Sequence, residues 1–342
     1  MNITIIGAGA IGLLVAARLA ESGGNRVALL ARSNAPQLAA AGIALHEAGA
    51  TRHVHTVEVF ADPSTPPFRP ELAVLCVKGY DTEGVLPALD AIGAAFVLTL
   101  QNGIGHEERL IAHYGPARVI SGAITTSVEV DGPAGITVTK SGGIGIAPIG
   151  GPPVDHVAQP FARAGFETRV VGNYAAMKWS KALLNMLGNA SAAILDMSVA
   201  DVYADDRLVA LERRAFLEAL AVMDKRGLRP VNLPRYPAAP LAQAMRFLPA
   251  PLLYAVLRRT VAGGRGGKLP SLLIELRRGN PRSEGAFLYG AVAEEAVRVG
   301  VAAPVNAALW RTLHGIASGS IAWDEYRHKP DRLLQAASQP SS

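Results

Sequence analysis

Ile5-Ile6-Gly7-Ala8-Gly9-Ala10-Ile11-Gly12 is the stretch that decides the fold. It completes a β-branched run from Met1 to Ile6 and leads into Leu13–Ser22, which carries helical spacing. A second strand pattern, Arg26–Leu30, follows. Strand, glycine turn, helix and strand within one short unit is the context that makes such a glycine signature specific for a dinucleotide. Gly7 allows a tight turn, Gly9 lets the backbone approach a pyrophosphate, and Gly12 lets the helix pack closely on the strand. The loop Gly7, Ala8, Gly9, Ala10, Ile11 and Gly12 would then hold the pyrophosphate on the free amides and positive dipole of the helix start. A purely structural loop is the competing reading.

The end of the second strand bears on which dinucleotide. An NAD site places an acid there for the ribose hydroxyls. This chain has Leu29-Leu30-Ala31-Arg32-Ser33-Asn34, without a carboxylate. Arg32 can stack on adenine and pair with a 2′-phosphate, and Ser33 can donate a hydrogen bond, so NADPH is the expected cofactor. The alternative is a surface arginine after a strand.

Two further apolar runs, Leu72–Val77 and Ala95–Leu100, suit a parallel sheet buried on both faces. The first ends in Lys78-Gly79-Tyr80-Asp81 and the second in Gln101-Asn102-Gly103-Ile104-Gly105. Ligands of open parallel sheets sit beyond the carboxyl ends of the strands, where Lys78 and Asn102 fall. Asn102-Gly103 also reads as a simple turn, since that pair tolerates positive φ. Beyond Ala117, the runs Val119–Val130, Gly135–Lys140, Gly143–Ala147 and Glu167–Val171 are expected as strands extending or flanking the sheet.

From Tyr174 the pattern is helical: Tyr174–Leu195, Arg207–Arg226, Ala239–Val261, Leu272–Arg278, Ser283–Val299 and Asn306–Ser318. The expected division is a nucleotide-binding domain over 1–172, a helical domain over 173–335 and a frayed tail over 336–342. In the first helix, Lys181, Asn185 and Asn189 fall on one face at spacings of four. Such groups in an apolar helix need water or partners. A solvated stripe is the plain alternative to a site.

The 342 residues are 50% apolar and 18% charged, a composition for packed domains. The lone cysteine, Cys76, allows no internal disulfide and is expected in the core. With neither a signal-peptide pattern nor a long uncharged apolar run, a soluble cytoplasmic protein without a membrane partner is expected. The net charge of +5 comes without an aromatic-interleaved basic motif, so no nucleic-acid partner is expected either, nor any metal.

Taken in order, these motifs resemble the ketopantoate reductase family. The resemblance rests on the glycine loop, Arg32, Lys78 and Gln101-Asn102-Gly103-Ile104-Gly105. It continues through Lys178-Trp179-Ser180-Lys181-Ala182-Leu183-Leu184-Asn185 with Asn189, Leu269-Pro270-Ser271 and Arg282-Ser283-Glu284. It implies an α/β fold: an N-terminal Rossmann-type parallel sheet, with a second, all-helical domain like the C-terminal domain of 6-phosphogluconate dehydrogenase. NADPH would bind in the cleft between them, and a homodimer is among the assemblies implied. The reaction implied is reduction of 2-dehydropantoate to (R)-pantoate, a step toward pantothenate and coenzyme A. By position, Lys181 matches the lysine that protonates the developing alkoxide, and Glu284 matches the acid that binds substrate. Asn102, Asn185, Asn189 and Ser271 match polar groups holding substrate or cofactor, and Lys78 lies on the nicotinamide side.

The chain departs from the family after Glu284. Ala286 and Tyr289 stand where an aspartate and an asparagine are usual, and Leu233–Lys268 is longer than in compact members. A reductase of a different 2-oxo acid or of an opine-type imine is therefore a second expectation. A non-catalytic NADPH-binding sensor is a third.

Overall fold

The computed structural model describes residues 1–150, 154–262 and 269–338. Two compact units emerge, Met1–Lys178 with Asn232–Tyr236 and Trp179–Val231 with Pro237–Ser342. The division falls inside a helix, where the sequence puts the change of character at Gly172.

The first unit carries β1 (Asn2–Ile6), α1 (Ala10–Glu21), β2 (Arg26–Leu30), α2 (Ala35–Ala41), β3 (Ile43–Glu47), β4 (Ala50–Val54), β5 (Glu58–Phe60) and β6 (Leu72–Leu75). There follow α3 (Thr82–Ile92), β7 (Phe96–Thr99), α4 (His106–Tyr114), β8 (Val119–Ile124), β9 (Ser127–Asp131), β10 (Gly135–Lys140), β11 (Gly143–Pro148), α5 (Val154–Arg163) and β12 (Glu167–Val170). Eight strands form one sheet in the order β12-β11-β8-β7-β6-β1-β2-β5. Its pairings are parallel except β11 with β8. Strand alternation divides the core. Ile3, Ile5, Leu72 and Val74 join one apolar cluster with α1 and α5, while Ile6, Ala73 and Leu75 join another with α3 and α4. Both faces of the sheet are thus covered, as a parallel sheet requires.

A second sheet, in the order β4-β3-β10-β9, packs against the other side of α1. Lying between two sheets, α1 buries Leu13, Leu14, Val15, Ala16, Ala17 and Leu19 on all sides. This arrangement corrects two expectations. Val119–Val130 is two strands in different sheets, because the chain turns at Thr125, whose hydroxyl donates to the Pro234 carbonyl at 2.8 Å. And β9 and β10 belong to the second sheet rather than flanking the first. Strands β3, β4 and β5 were not foreseen.

Helix α6 (Tyr174–Met186) leads into the second unit, which is helical among the described residues: α7 (Ala190–Leu195), α8 (Val199–Ala204), α9 (Asp206–Lys225), α10 (Ala238–Phe247), α11 (Ala250–Leu257), α12 (Ser271–Arg277), α13 (Tyr289–Val299), α14 (Pro304–Ser318) and α15 (Pro330–Ser338). Every residue of α7 is buried, and α12, α14 and α15 pack around it. Three long helical patterns are interrupted. Tyr174–Leu195 breaks at Gly188, which takes φ +63°. Ala239–Val261 breaks at Leu248-Pro249, where both residues are extended, because proline disfavours a helical predecessor. Ser283–Val299 begins with a 3-10 turn over Glu284–Phe287 before α13. The tail expected over 336–342 is ordered to Ser338, with Leu333 and Ala337 buried, and residues 339–342 lie outside the described residues. So do residues 263–268 of the long Leu233–Lys268 segment. No helix among the described residues is long and apolar enough to cross a membrane.

Candidate active site

In the first unit the glycine loop has the shape its residues require. Gly7 takes φ +107°, and a Cβ on Gly12 would lie 1.8 Å from the Gly7 carbonyl oxygen, so neither admits a side chain. A Cβ on Gly9 would meet nothing within 4 Å. Gly9 is thus free of protein packing demands, and the space above it suits a group that must approach the backbone. Helix α1 starts without a side-chain cap or an acid in its first turn, leaving its amides and positive dipole for an anion. Asn34 donates to the Ala8 carbonyl at 3.3 Å, tying the β2–α2 turn to this loop. At the end of β2, Arg32 and Ser33 are exposed, and the Arg32 guanidinium has no partner among the described residues.

Lys78 and Asn102 are exposed beyond the ends of β6 and β7. The Gln101 side-chain amide links their loops, donating to the carbonyls of Val77 at 3.2 Å and Lys78 at 3.3 Å and to the Thr82 hydroxyl at 2.9 Å. Below them lies a buried ion pair, Lys178 with Glu107, at 3.1 Å and with side chains 3% and 1% exposed. The Lys178 ammonium also donates to the Gln101 carbonyl at 2.5 Å, and Ser121 donates to Glu107 at 2.7 Å. His106 lies 2.9 Å through Nε2 from the Asn102 carbonyl, which can only accept, so Nε2 carries the proton. Burial first, and then the Lys178 charge, pull its pKa down to about 3.

Sequence reasoning gave no role to Gln101, His106, Glu107 or Lys178. A signal existed for Lys178, a charge in an apolar helix. Glu107 looked like an ordinary acid in a helix's first turn, and nothing local couples it to a residue so far along the chain.

Cys76, expected in the core, lies just past β6 and is half-buried by surface area, although its surroundings raise the thiol's pKa strongly through burial. Cys76 packs against the α1-side cluster.

In the helical unit, Lys181 on α6 is 8% exposed and Glu284, opening its 3-10 turn, is 6% exposed. The Glu284 amide donates to the buried Glu275 carboxylate at 3.2 Å, and Ser283 caps that turn through the Gly285 amide at 3.1 Å. Asn185 is half-buried on the last turn of α6. Asn189 does not share a continuous helix face with Lys181 and Asn185, because the helix stops before Gly188; it is the residue that precedes α7. Its amide donates to the Asn185 carbonyl at 3.0 Å and to the Ser271 hydroxyl at 3.5 Å, while its oxygen accepts from the Leu272 amide at 3.3 Å. Helix α12 has no side-chain cap from its own preceding residue, Pro270, and Asn189 serves in its place. Asn185, Asn189 and Ser271 are thereby gathered at one point of this unit.

The break itself is a built feature. Glu212, 3% exposed, accepts from the Gly188 amide at 2.7 Å and from the Ser191 hydroxyl at 2.5 Å. Tyr289 accepts from the Ala190 amide at 3.0 Å and donates to the Met186 carbonyl.

Comparison with known proteins places these motifs. The family model described as ketopantoate reductase PanE/ApbA matches residues 3–151, and its C-terminal counterpart matches residues 173–317. A 2-dehydropantoate 2-reductase of Pyrococcus horikoshii is 31% identical over 91% of this chain and 95% of its own. Among solved structures, a PanE/ApbA family ketopantoate reductase from Ralstonia eutropha superposes with a TM-score of 0.78 at 25% identity, covering 93% of this chain and 99% of its own. D-mandelate dehydrogenase with NADH and anilino(oxo)acetate reaches the same TM-score of 0.78 at 20% identity, over 93% of this chain and 99% of its own, a likeness of fold. With both family models matched across both units, and a full-length relative at this identity, the chain belongs to the ketopantoate reductase family of oxidoreductases.

Proposed function

We propose that this protein uses NADPH to reduce a 2-oxo acid, with 2-dehydropantoate the first candidate and (R)-pantoate its product, on the way to pantothenate and coenzyme A. The observation that carries the reading is the pair of ionisable side chains, Lys181 and Glu284, buried in one helical unit of a chain matched by both family models. Buried charges are costly unless partnered, so two of them in one unit make a candidate site.

The nicotinamide cofactor would supply the hydride. The chain's own residues would do the rest. The amides at the start of α1 would hold the pyrophosphate, in the open space at Gly9. Arg32, exposed and without a side-chain partner among the described residues, would take the 2′-phosphate, with Ser33 beside it. Lys78 and Asn102 would hold the nicotinamide side from the ends of β6 and β7. Negative charge develops on the carbonyl oxygen as a ketone is reduced, and Lys181 would deliver a proton to that oxygen. Glu284 would bind the substrate's polar groups and balance the ammonium, while Asn102, Asn185, Asn189 and Ser271 would fix its orientation. The assembly expected is a homodimer, which light scattering on the purified protein would check.

The experiment is NADPH consumption with a panel of 2-oxo acids that includes 2-dehydropantoate. Turnover with 2-dehydropantoate supports the reading, and inactivity with every member overturns it. One observation favours a second reading, a reductase of another 2-oxo acid or an imine. Tyr289 directs its hydroxyl at backbone groups of the α6–α7 break, and Ala286 offers no polar group. The substrate wall therefore differs from the usual one, and the highest kcat/KM in the panel identifies the substrate.

A further inference from the structure

The Lys178–Glu107 pair has no place in the chemistry just described, and stability does not account for it. Two buried charges lose hydration, and an apolar pair of similar volume often serves as well or better. Its position is more informative. The ammonium has three N–H donors, and it has three acceptors around it: Glu107 at 3.1 Å, the Gln101 carbonyl at 2.5 Å and the Gly122 carbonyl at 3.4 Å. Glu107 in turn sits in the first turn of α4, where the helix dipole favours an anion, and holds Ser121 at 2.7 Å. The pair thus fastens together the end of β7, strand β8 and the start of α4.

The residue at the centre of this fastening is Asn102. The peptide before it is held through the Gln101 carbonyl by Lys178, and the peptide after it through its own carbonyl by His106 at 2.9 Å. With both flanking peptide planes fixed, φ and ψ of residue 102 are fixed, and with them the direction of its Cα–Cβ bond. Meanwhile the Gln101 side chain carries the same constraint to the loop of Lys78.

We propose that Lys178 is a positioning residue: paired with Glu107, it holds the Gln101 carbonyl and so aims the Asn102 side chain for cofactor and substrate. The inference rests on the reading of Asn102 given above.

The test compares Lys178→Met, the double variant Lys178→Met/Glu107→Gln, Asn102→Ala and the triple combination. Lys178→Met alone strands a buried carboxylate and is expected to lower the melting temperature sharply. The double variant leaves no unpaired charge, and the glutamine keeps an acceptor for Ser121, so it is expected to melt near the wild type. A merely structural role would then be repaired along with stability. A positioning role would not be. The expected result is a dissociation constant for NADPH raised about tenfold in the double variant, read by fluorescence titration without turnover. Asn102→Ala should add little to that loss, because both act through one contact. A double variant that binds NADPH as tightly as the wild type overturns the proposal, and so does full additivity with Asn102→Ala. Because binding is read separately, a wild type that binds NADPH but reduces no 2-oxo acid sinks the assigned reaction without deciding this inference. A wild type active beside an undisturbed double variant sinks the inference alone.

Discussion

The Tyr289 hydroxyl bridges the break between α6 and α7, accepting from the Ala190 amide at 3.0 Å while donating to the Met186 carbonyl. Met186 closes one helix and Ala190 opens the next, so both groups lack the partners a continuous helix would give them. Tyr289 itself is 1% exposed. It supports the peptide segment carrying Asn185 and Asn189.

Tyr289→Phe should therefore cost stability by stranding the buried Ala190 amide, at about 1–3 kcal/mol, while the Met186 carbonyl keeps the Asn189 amide at 3.0 Å. Urea denaturation measures this. The same variant should raise KM for the 2-oxo acid more than KM for NADPH, since Asn189 hangs from the disturbed segment. Unchanged stability would remove the bridge from its assigned role.

Gly9 and Gly188 should respond oppositely to alanine. At Gly188 the backbone takes φ +63°, and a Cβ would stand 2.8 Å from Val199 Cγ1 and 3.1 Å from Tyr203. The left-handed conformation costs an alanine about 1–2 kcal/mol, and crowding adds about 1–3 kcal/mol. Gly9→Ala meets no atom within 4 Å and should change stability by less than about 0.5 kcal/mol. It should instead weaken NADPH binding, because the added methyl fills the space proposed for the pyrophosphate. Denaturation and cofactor titration on both variants separate packing from binding.

Much of the first unit was legible because its signals are local. A glycine turn between a strand and a helix can be read within thirty or so residues, and the continuous apolar runs of β6 and β7 announce burial on both faces. The second sheet was not legible. In β4 only Val54 is buried, so the hairpin it forms with β3 carries little apolar periodicity, and β3 joins β10 in parallel from far along the chain, a pairing no local signal marks. At the site, the sequence implied one continuous helix face for Lys181, Asn185 and Asn189, which the end of α6 at Met186 interrupts. Gly188 was the available clue, yet its left-handed φ depends on Glu212 and Tyr289, which only the folded chain brings near. The pairing of Lys178 with Glu107 was not legible for the same reason: an ion pair between distant residues leaves no spacing to read.

His106 makes stability depend on pH. Burial and the Lys178 charge depress its folded pKa to about 3 from an ordinary value of 6.5, so the folded protein stays neutral there while the unfolded chain takes up a proton. Stability is therefore full above the unfolded pKa and is lost as the pH falls from there toward the folded value. At pH 5 the loss amounts to roughly 2 kcal/mol. Glu218, whose pKa burial raises, works in the opposite direction. His106→Gln, which keeps a donor for the Asn102 carbonyl, is accordingly the reference. Wild type and variant should show different slopes of stability against pH between about pH 5 and 7, and identical slopes would contradict a buried neutral imidazole.

Arg32→Ala should weaken NADPH by about tenfold to a hundredfold and leave NADH nearly unaffected, since a charge-assisted pair to phosphate contributes about 1.5–3 kcal/mol. The side chain is exposed and engages no other described residue, so stability should not move. Equal affinity of the unmodified protein for NADH and NADPH would refute the assignment of Arg32.

Lys181 should separate chemistry from binding. Lys181→Met keeps the volume of a side chain that is 8% exposed, so its packing in α6 should be largely preserved. Loss of a positioned proton donor lowers kcat by roughly 100- to 10,000-fold. NADPH titration should be unchanged, since the glycine loop and Arg32 are untouched. Glu284→Gln removes a charge from the same unit without removing the donor, so it should raise KM for the 2-oxo acid more than it lowers kcat. If Lys181→Met retained kcat, the proton would have to come from water or another side chain. A fall in NADPH affinity matching the fall in kcat would instead make the lysine a binding group.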